Sequence, residues 1–276
     1  MNEKTITFIG GGNMARSLIG GLIETGVAAE KLRIADPEPE PLALQFPIRR
    51  YHDNLTAIIG ADVVVLAVKP QILPEVAKLL APALPTPLPL FITIAAGVRL
   101  ADLTRWLSVN TERPIPIVRV MPNTPALVRS GASALFANPH VDEAQRKLAE
   151  NILRAVGLTL WLENENQMDA VTALSGSGPA YFFLIMEVLE KAAINLGLPQ
   201  ETARLLTLQT AFGSAKMALE SLEDAASLRV RVTSKGGTTE QAINLLQNGG
   251  LQTLFDQALK AAEQRATHLA KQLGEL

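Results

Sequence analysis

Cysteine is absent from the 276 residues, which excludes disulfides and thiol nucleophiles and makes a reducing compartment unremarkable. Histidine is scarce. His52, His140 and His268 are the only three and lie far apart, so neither a metal site nor a histidine-based triad is expected. An excess of one charge is missing as well: 25 Lys and Arg face 27 Asp and Glu, for a net charge of −2 and a pI near 6.0. That balance argues against a nucleic-acid partner. No secretory leader is expected, because Phe8 and Ile9 run straight into glycines, and no apolar run is read as long enough to span a membrane. The expectation is a cytoplasmic protein with no membrane partner, large enough for one big or two ordinary domains.

What the chain does have is concentrated near its start. Thr5 to Ile9 alternates and is rich in β-branched residues, as a short strand would be. Gly10, Gly12 and Ala15 follow with G-x-G-x-x-A spacing, and Ala15, Leu18, Ile19 and Leu22 then recur with a helical period. Strand, glycine turn and helix form the context of a dinucleotide-binding fingerprint. Gly10 permits the tight turn, Gly12 the approach of a pyrophosphate and Ala15 the packing of helix on strand. The helix start, with free N–H groups and a positive dipole end, would hold the phosphates. The alternative is an ordinary glycine turn.

Leu32 to Ala35 reads as the second strand, with Gly26 closing the helix before it. Asp36 lies at that strand's end, where an acid accepts hydrogen bonds from an adenosine ribose and repels a 2′-phosphate, favouring NAD over NADP. It also begins an Asp-Pro pair, so a turn-initiating role stays open. Arg49 and Arg50 answer a 2′-phosphate only if the fold brings them round. Ala61 to Val68 is a continuous apolar run, expected as a buried parallel strand that ends in Lys69-Pro70 at the ligand crevice. A helix is expected from Ile72 to Leu80, then a stiff connection through Pro82, Pro85, Pro87 and Pro89. Strands are expected at Leu90–Ala95, Ile115–Val120, Ser133–Phe136 and Leu158–Leu162, with a helix over Glu143–Val156 and a rigid loop at Met121–Pro125.

From Asp169 onward the pattern is helical: Asp169–Leu196, Pro199–Leu219, Ala225–Val232, Thr239–Gln247 and Leu251–Leu273. Ser175-Gly-Ser-Gly-Pro179 interrupts the first of these, and the proline is expected to kink it. These helices carry apolar residues on many faces, so a second subunit is the expected cover. The fold class expected is α/β, with a Rossmann-type domain over residues 1–163 and an all-α dimerisation domain over 164–276. Ser234-Lys-Gly-Gly-Thr-Thr239 stands at a helix start and reads either as an N-cap or as a second anion-binding nest. Both can hold, since a cap residue can also face a ligand. A dinucleotide loop plus a second anion site outlines a hydride-transferring enzyme.

The motifs F-I-G-G-G-N-M-A, A-V-K-P-Q, I-A-A-G-V, M-P-N-T-P, L-S-G-S-G-P-A-Y and S-K-G-G-T-T, in this order and spacing, resemble those of pyrroline-5-carboxylate reductases over nearly the whole chain. The resemblance implies a Rossmann domain followed by helices interleaved with those of a second subunit, in a homodimer or a multiple of dimers. It implies reduction of 1-pyrroline-5-carboxylate to L-proline by NADPH or NADH, the last step of proline synthesis. It also implies roles: Gly10, Gly11, Gly12, Asn13 and Met14 bind pyrophosphate, and Asn54, Ala67, Val68, Lys69 and Pro70 line the cofactor. Gly97 and Asn123 lie toward the nicotinamide, where Gly97 would admit the ring. Ser234, Gly237, Thr238 and Thr239 receive the substrate, with the N–H groups of Gly237 and Thr238 on its carboxylate. Two positions depart from the pattern. Lys235 stands where the family usually carries proline, and Asp36 where NADPH-preferring members carry a small or amide residue. A β-hydroxyacid dehydrogenase shares the two-part plan, but the lysine of its G-x-x-G-x-G-x-x-x-K signature is missing after Ser175-Gly-Ser-Gly. A non-catalytic NADP sensor would need no second anion site.

Overall fold

The computed structural model describes residues 3–37, 46–109 and 113–276. Its eight strands are β1 (Ile6–Ile9), β2 (Leu32–Ala35), β3 (Arg49–Tyr51), β4 (Val63–Leu66), β5 (Leu90–Thr93), β6 (Ile117–Met121), β7 (Gly131–Ala137) and β8 (Gly157–Trp161). They form one sheet in the order β3-β2-β1-β4-β5-β6-β7-β8. Every pairing is parallel except β6 with β7, which is antiparallel. The first six strands thus have the Rossmann order, which reverses between β1 and β4 and opens a crevice at their carboxyl ends. Both faces are covered, so β4 is apolar throughout and β1 is fully buried, its polar residue Thr7 donating to the Ala57 carbonyl at 3.0 Å. Val63 and Val65 pack with Leu18, Ile19 and Leu22 of the helix Asn13–Glu24. Val64 and Leu66 pack on the other side with Leu73, Ala77 and Leu80 of the helix Leu73–Leu80 and with Trp106.

The strands expected from the sequence are present, with ends shifted by a few residues. Two features are additional. Arg49–Tyr51 is a short edge strand in register with β2, Arg33 opposite Arg49 and Ala35 opposite Tyr51. Leu100–Leu107 is a helix that buries Leu100, Leu103, Trp106 and Leu107. The fold does bring Arg49 and Arg50 alongside β2, and both are exposed.

By packing, the chain divides into a unit of Met1–Ser177 with Ala262–Leu276 and a second of Gly178–Ala261. Residues 164–177 and 262–276, which the sequence pattern assigns to the helical part, therefore pack in the α/β unit. Leu273 is buried there, Arg105 donates to the Gly274 carbonyl at 2.6 Å and Lys78 to that of Leu276 at 2.7 Å. The interruption at Ser175 takes the form of a wide π-turn, Thr172–Gly176, in which the Ser177 N–H reaches back five residues to the Thr172 carbonyl. Gly178–Asn195 then resumes as α-helix with Pro179 at its start, where proline costs no hydrogen bond.

The second unit contains Gln200–Glu220, Ala225–Arg231 and Thr238–Asn248 besides Gly178–Asn195 and the start of Leu251–Gly274. Within Gly178–Ala261 only Gly178 and Ala203 are buried. Phe182, Phe183, Leu205, Leu206, Phe212, Leu219 and Leu245 are more than half exposed. Contrary to the apolar pattern read from the sequence, the helical stretch Gln167–Asn195, 29 residues, is long and apolar enough by length and composition to cross a membrane. Its Ser and Gly residues break the run in sequence yet do not end the helix. So much uncovered apolar surface is sequestered by association in water. Sedimentation at micromolar protein is expected to find dimers or multiples of dimers; a stable folded monomer would refute this.

The start of β1 is fastened by Asp62, which accepts from the Thr5 N–H and the Lys4 ammonium, each at 2.8 Å. Desolvation acts to raise the Asp62 pKa, but the Lys4 hydrogen bond, the Thr5 N–H and the charges of Lys4 and Lys31 together hold it below the usual carboxylate value. A depressed folded pKa means the stabilisation is present above the unfolded pKa and is lost as pH falls through the folded one. Asp62→Ala is expected to cost about 1 kcal/mol at neutral pH, after allowance for exposure. The gap from the parent should close as the pH drops below about 4 in denaturant titrations; a pH-independent gap would refute the assignment.

Candidate active site

The carboxyl ends of β1 and β4 meet at a contact that only glycine allows. Gly10 has φ +101°, and a Cβ there would lie 2.8 Å from the Ala67 carbonyl oxygen and 2.9 Å from the Val68 nitrogen. Its own N–H donates to the Ala35 carbonyl at 2.8 Å, and the Ala67 N–H to that of Ile9 at 2.8 Å. The turn is therefore stitched to the neighbouring strands on both sides. Gly12 is different: nothing lies within 4 Å of where its Cβ would be, and it serves as N-cap of Asn13–Glu24 with no side-chain cap. The N–H groups of Gly12, Asn13 and Met14 have no acceptor among the described residues. Open space before unpaired N–H groups at the positive end of a helix fits a pyrophosphate.

Asp36 has a role beyond the two readings of its sequence context. Its Oδ2 accepts from the Gly11 N–H at 2.7 Å. The end of β2 thus grips the glycine loop itself, a constraint on the phosphate cradle before any ribose is considered. Asn54 opens the helix Asn54–Ile58 after β3, whose Tyr51 carbonyl accepts from the Asp36 N–H at 3.2 Å. That helix is capped by Asp53, which accepts from Leu55 and Thr56. Ala67, Val68 and Pro70 are half-buried beyond β4, and Lys69 is exposed with no carboxylate partner among the described residues.

Gly97 and Asn123 answer to packing. Gly97 is buried at φ +78°, and its Cβ direction faces Leu273 at 3.3 Å and Ala270 at 3.5 Å. The space that glycine leaves is taken by the last helix, not left open for a ring. Asn123 accepts from the Ala132 N–H at 2.9 Å and donates to the Ser175 carbonyl at 3.0 Å, pinning the loop after β6 to β7 and to the π-turn.

The sequence reading does not single out Arg119, although a charge inside the apolar run Ile-Val-Arg-Val-Met is the signal for it. Its side chain is 5% exposed and meets Glu165 at 2.8 Å and Asp169 at 3.9 Å. Glu165 also accepts from the Leu100 N–H at 2.8 Å, and Asp169 from the Thr267 hydroxyl at 2.9 Å. The cluster joins β6, the helix Leu100–Leu107, the segment before the π-turn and the last helix.

In the helical unit, Ser234 to Thr239 forms a tight turn leading into Thr238–Asn248. The Gly237 N–H donates to the Ser234 carbonyl at 3.0 Å, so it is spent on the turn and is not free for a carboxylate. Gly237 is the N-cap, again with no side-chain cap. The hydroxyls of Ser234, Thr238 and Thr239, and the N–H groups of Thr238 and Thr239, have no partner among the described residues. The N-cap reading of the threonine side chains thus does not hold, because neither hydroxyl caps the helix. The Gly236 N–H is taken by Glu240 Oε2 at 2.7 Å, a contact the sequence reading does not name.

A family profile described as pyrroline-5-carboxylate reductase dimerisation matches residues 165–269, and one described as NADP oxidoreductase, coenzyme F420-dependent, matches residues 5–97. Pyrroline-5-carboxylate reductase of Pseudomonas aeruginosa is 53% identical, covering 100% of both chains. That of Haemophilus influenzae is 43% identical, covering 98% of each. Among solved structures, the pyrroline-5-carboxylate reductase of Coxiella burnetii has a TM-score of 0.91 at 47% identity, over 97% of this chain and 99% of that one. The Plasmodium falciparum pyrroline carboxylate reductase with NADP bound has a TM-score of 0.86 at 28% identity, over 98% and 99%.

The Asp36–Gly11 contact yields a two-part expectation. Asp36→Ser removes the acceptor of the Gly11 N–H, so KM for NADH should rise. With Asp36 at the adenosine ribose, the same change would remove a negative charge that opposes a 2′-phosphate, so the NADPH:NADH preference should move about tenfold toward NADPH. Steady-state kinetics with both cofactors decide it; unchanged constants for both would leave Asp36 as a turn residue alone.

Proposed function

The chain belongs to the pyrroline-5-carboxylate reductase family, and from that premise we propose how its residues reduce 1-pyrroline-5-carboxylate to L-proline with NAD(P)H. The observation that carries this reading is the pair of glycine turns at helix starts, each with unpaired donors: Gly12 to Met14 in the α/β unit, Ser234 to Thr239 in the helical unit. The first suits a pyrophosphate and the second a small carboxylate.

When bound, NAD(P)H supplies the hydride that adds to the imine carbon of the pyrroline. The protein's part is binding, orientation and polarisation. Gly12, Asn13 and Met14 hold the pyrophosphate through their N–H groups, with Asn54 and Ala67 to Pro70 along the cofactor. Ser234 Oγ and the Thr238 N–H receive the substrate carboxylate, while Gly237 shapes the turn that presents them. The Thr239 hydroxyl hydrogen-bonds the ring nitrogen, donating to the neutral imine or accepting from the iminium N–H, which favours positive character there and makes the adjacent carbon a better hydride acceptor. An alcohol barely ionises near neutral pH, so Thr239 polarises and positions; the proton comes from solvent or arrives on the substrate. No covalent intermediate and no metal enters.

The apolar surface of Gly178–Ala261, within the region that matches the dimerisation profile, is the reason we assign it a second copy of this chain as partner. A net charge of −2 supports the absence of a nucleic-acid partner. Cytoplasmic location and the absence of a membrane partner belong to the same proposal; the Gln167–Asn195 stretch is covered by the second subunit in this reading, not by lipid.

Oxidation of NAD(P)H in the presence of 1-pyrroline-5-carboxylate tests the activity, and Thr239 variants test the mechanism. Losing one hydrogen bond to a polarised group costs roughly 1.5 to 3 kcal/mol. Thr239→Val should therefore lower kcat/KM about ten- to a hundredfold with cofactor KM nearly unchanged, and Thr239→Ser should keep most activity. Wild-type turnover by Thr239→Val would refute the role.

A further inference from the structure

We propose that Glu240 is the positioning residue of the substrate loop, holding Ser234–Thr239 in shape where a proline at position 235 would otherwise do so. The proposal rests on the assignment of Ser234, Thr238 and Thr239 to the pyrroline substrate. The turn is Ser234-Lys235-Gly236-Gly237, closed by the 3.0 Å bond from the Gly237 N–H to the Ser234 carbonyl. Gly236 has φ +74°, the value required at the third position of a type II turn. The second position of such a turn favours proline, whose ring presets φ. Lys235 presets nothing, and the two glycines after it are the least restrained residues available. Left to itself, this turn exchanges among many shapes.

Glu240 removes that freedom. It is the third residue of the helix Thr238–Asn248, the position from which an acid reaches back over a helix start. In an ordinary capping box it accepts the N-cap N–H. Here the N-cap Gly237 N–H is already committed to Ser234, and the carboxylate reaches one residue further, to the Gly236 N–H at 2.7 Å. The turn is therefore fixed at both glycines, one by main chain and one by a charge-assisted bond. The Thr238 and Thr239 N–H groups remain unpaired and pointing from the helix start. The carboxylate is at the same time a negative charge beside a site for an anion. What it supplies there is geometry, an acceptor for the Gly236 N–H that fixes the turn.

The test compares wild type, E240A, E240Q and the double variant K235P/E240A, each checked by circular dichroism and sedimentation. In E240A the KM for 1-pyrroline-5-carboxylate should rise about five- to twentyfold, the loss of one charge-assisted hydrogen bond, with the cofactor KM within about twofold. E240Q keeps an acceptor for the Gly236 N–H and should stay within about threefold of wild type. K235P/E240A should recover most of the loss, because proline fits the second position of the turn and the Lys235 N–H has no acceptor to lose among the described residues. Hydrogen exchange in the peptide covering residues 234–238 should quicken in E240A and slow again in the double variant. The role of Glu240 is overturned if E240A keeps the wild-type substrate KM, or if K235P/E240A is no better than E240A. A wild-type protein that does not turn over the pyrroline overturns the substrate assignment itself.

Discussion

A backbone that binds an anion must keep its N–H groups unpaired, and a loop with unpaired N–H groups is a loose one. In the function proposed above, this chain meets that conflict twice and resolves it in the same way. At the carboxyl ends of β1 and β2, Asp36 takes the Gly11 N–H and leaves those of Gly12, Asn13 and Met14. Before Thr238–Asn248, Glu240 takes the Gly236 N–H and leaves those of Thr238 and Thr239. In each loop one glycine amide is given up to a carboxylate so that its neighbours are held still and open. In that function, each restraint also sets a negative charge beside the bound anion.

The position of β2 depends on this constraint. Asp36 reaches Gly11 only because β2 lies next to β1 in register, Ala35 beside Ile9, and because Gly10 presses against Ala67 without a side chain. The buried Arg119 cluster does for the far side of the sheet what these contacts do for the crevice. A guanidinium held in an apolar strand is tolerable only with its partners in place, so Glu165 and Asp169 are committed to one arrangement. Through them so are the start of Leu100–Leu107 and the last helix.

The sheet was legible in the sequence because its signals are local: β-branched runs, glycine spacing and strand ends set by turn residues. Arg49–Tyr51 was not, since three residues with two exposed arginines carry no period, and only pairing with β2 makes them a strand. Leu100–Leu107 was hidden by its short length between two stronger features. The glycine loop was legible where residue type decides, as with the tight turn at Gly10 and the open space at Gly12. The site was illegible where direction decides. No pattern tells that the Cβ direction of Gly97 faces Leu273, that Asn123 serves two backbone groups, or that Glu240 reaches past the cap residue to Gly236.

The return of the chain after Ala261 has a consequence for how the protein reaches this state. The contacts that close the α/β unit include Asp169 with Thr267, 98 residues apart, Arg105 with Gly274, 169 apart, and Lys78 with Leu276, 198 apart. Closing such loops costs chain entropy that local helices do not repay, and non-local contacts of this kind slow folding. The packing partner of Gly97 thus arrives only after the whole helical excursion has been spanned. The α/β unit is in this way closed by contacts that span the segment whose apolar surface calls for a second chain.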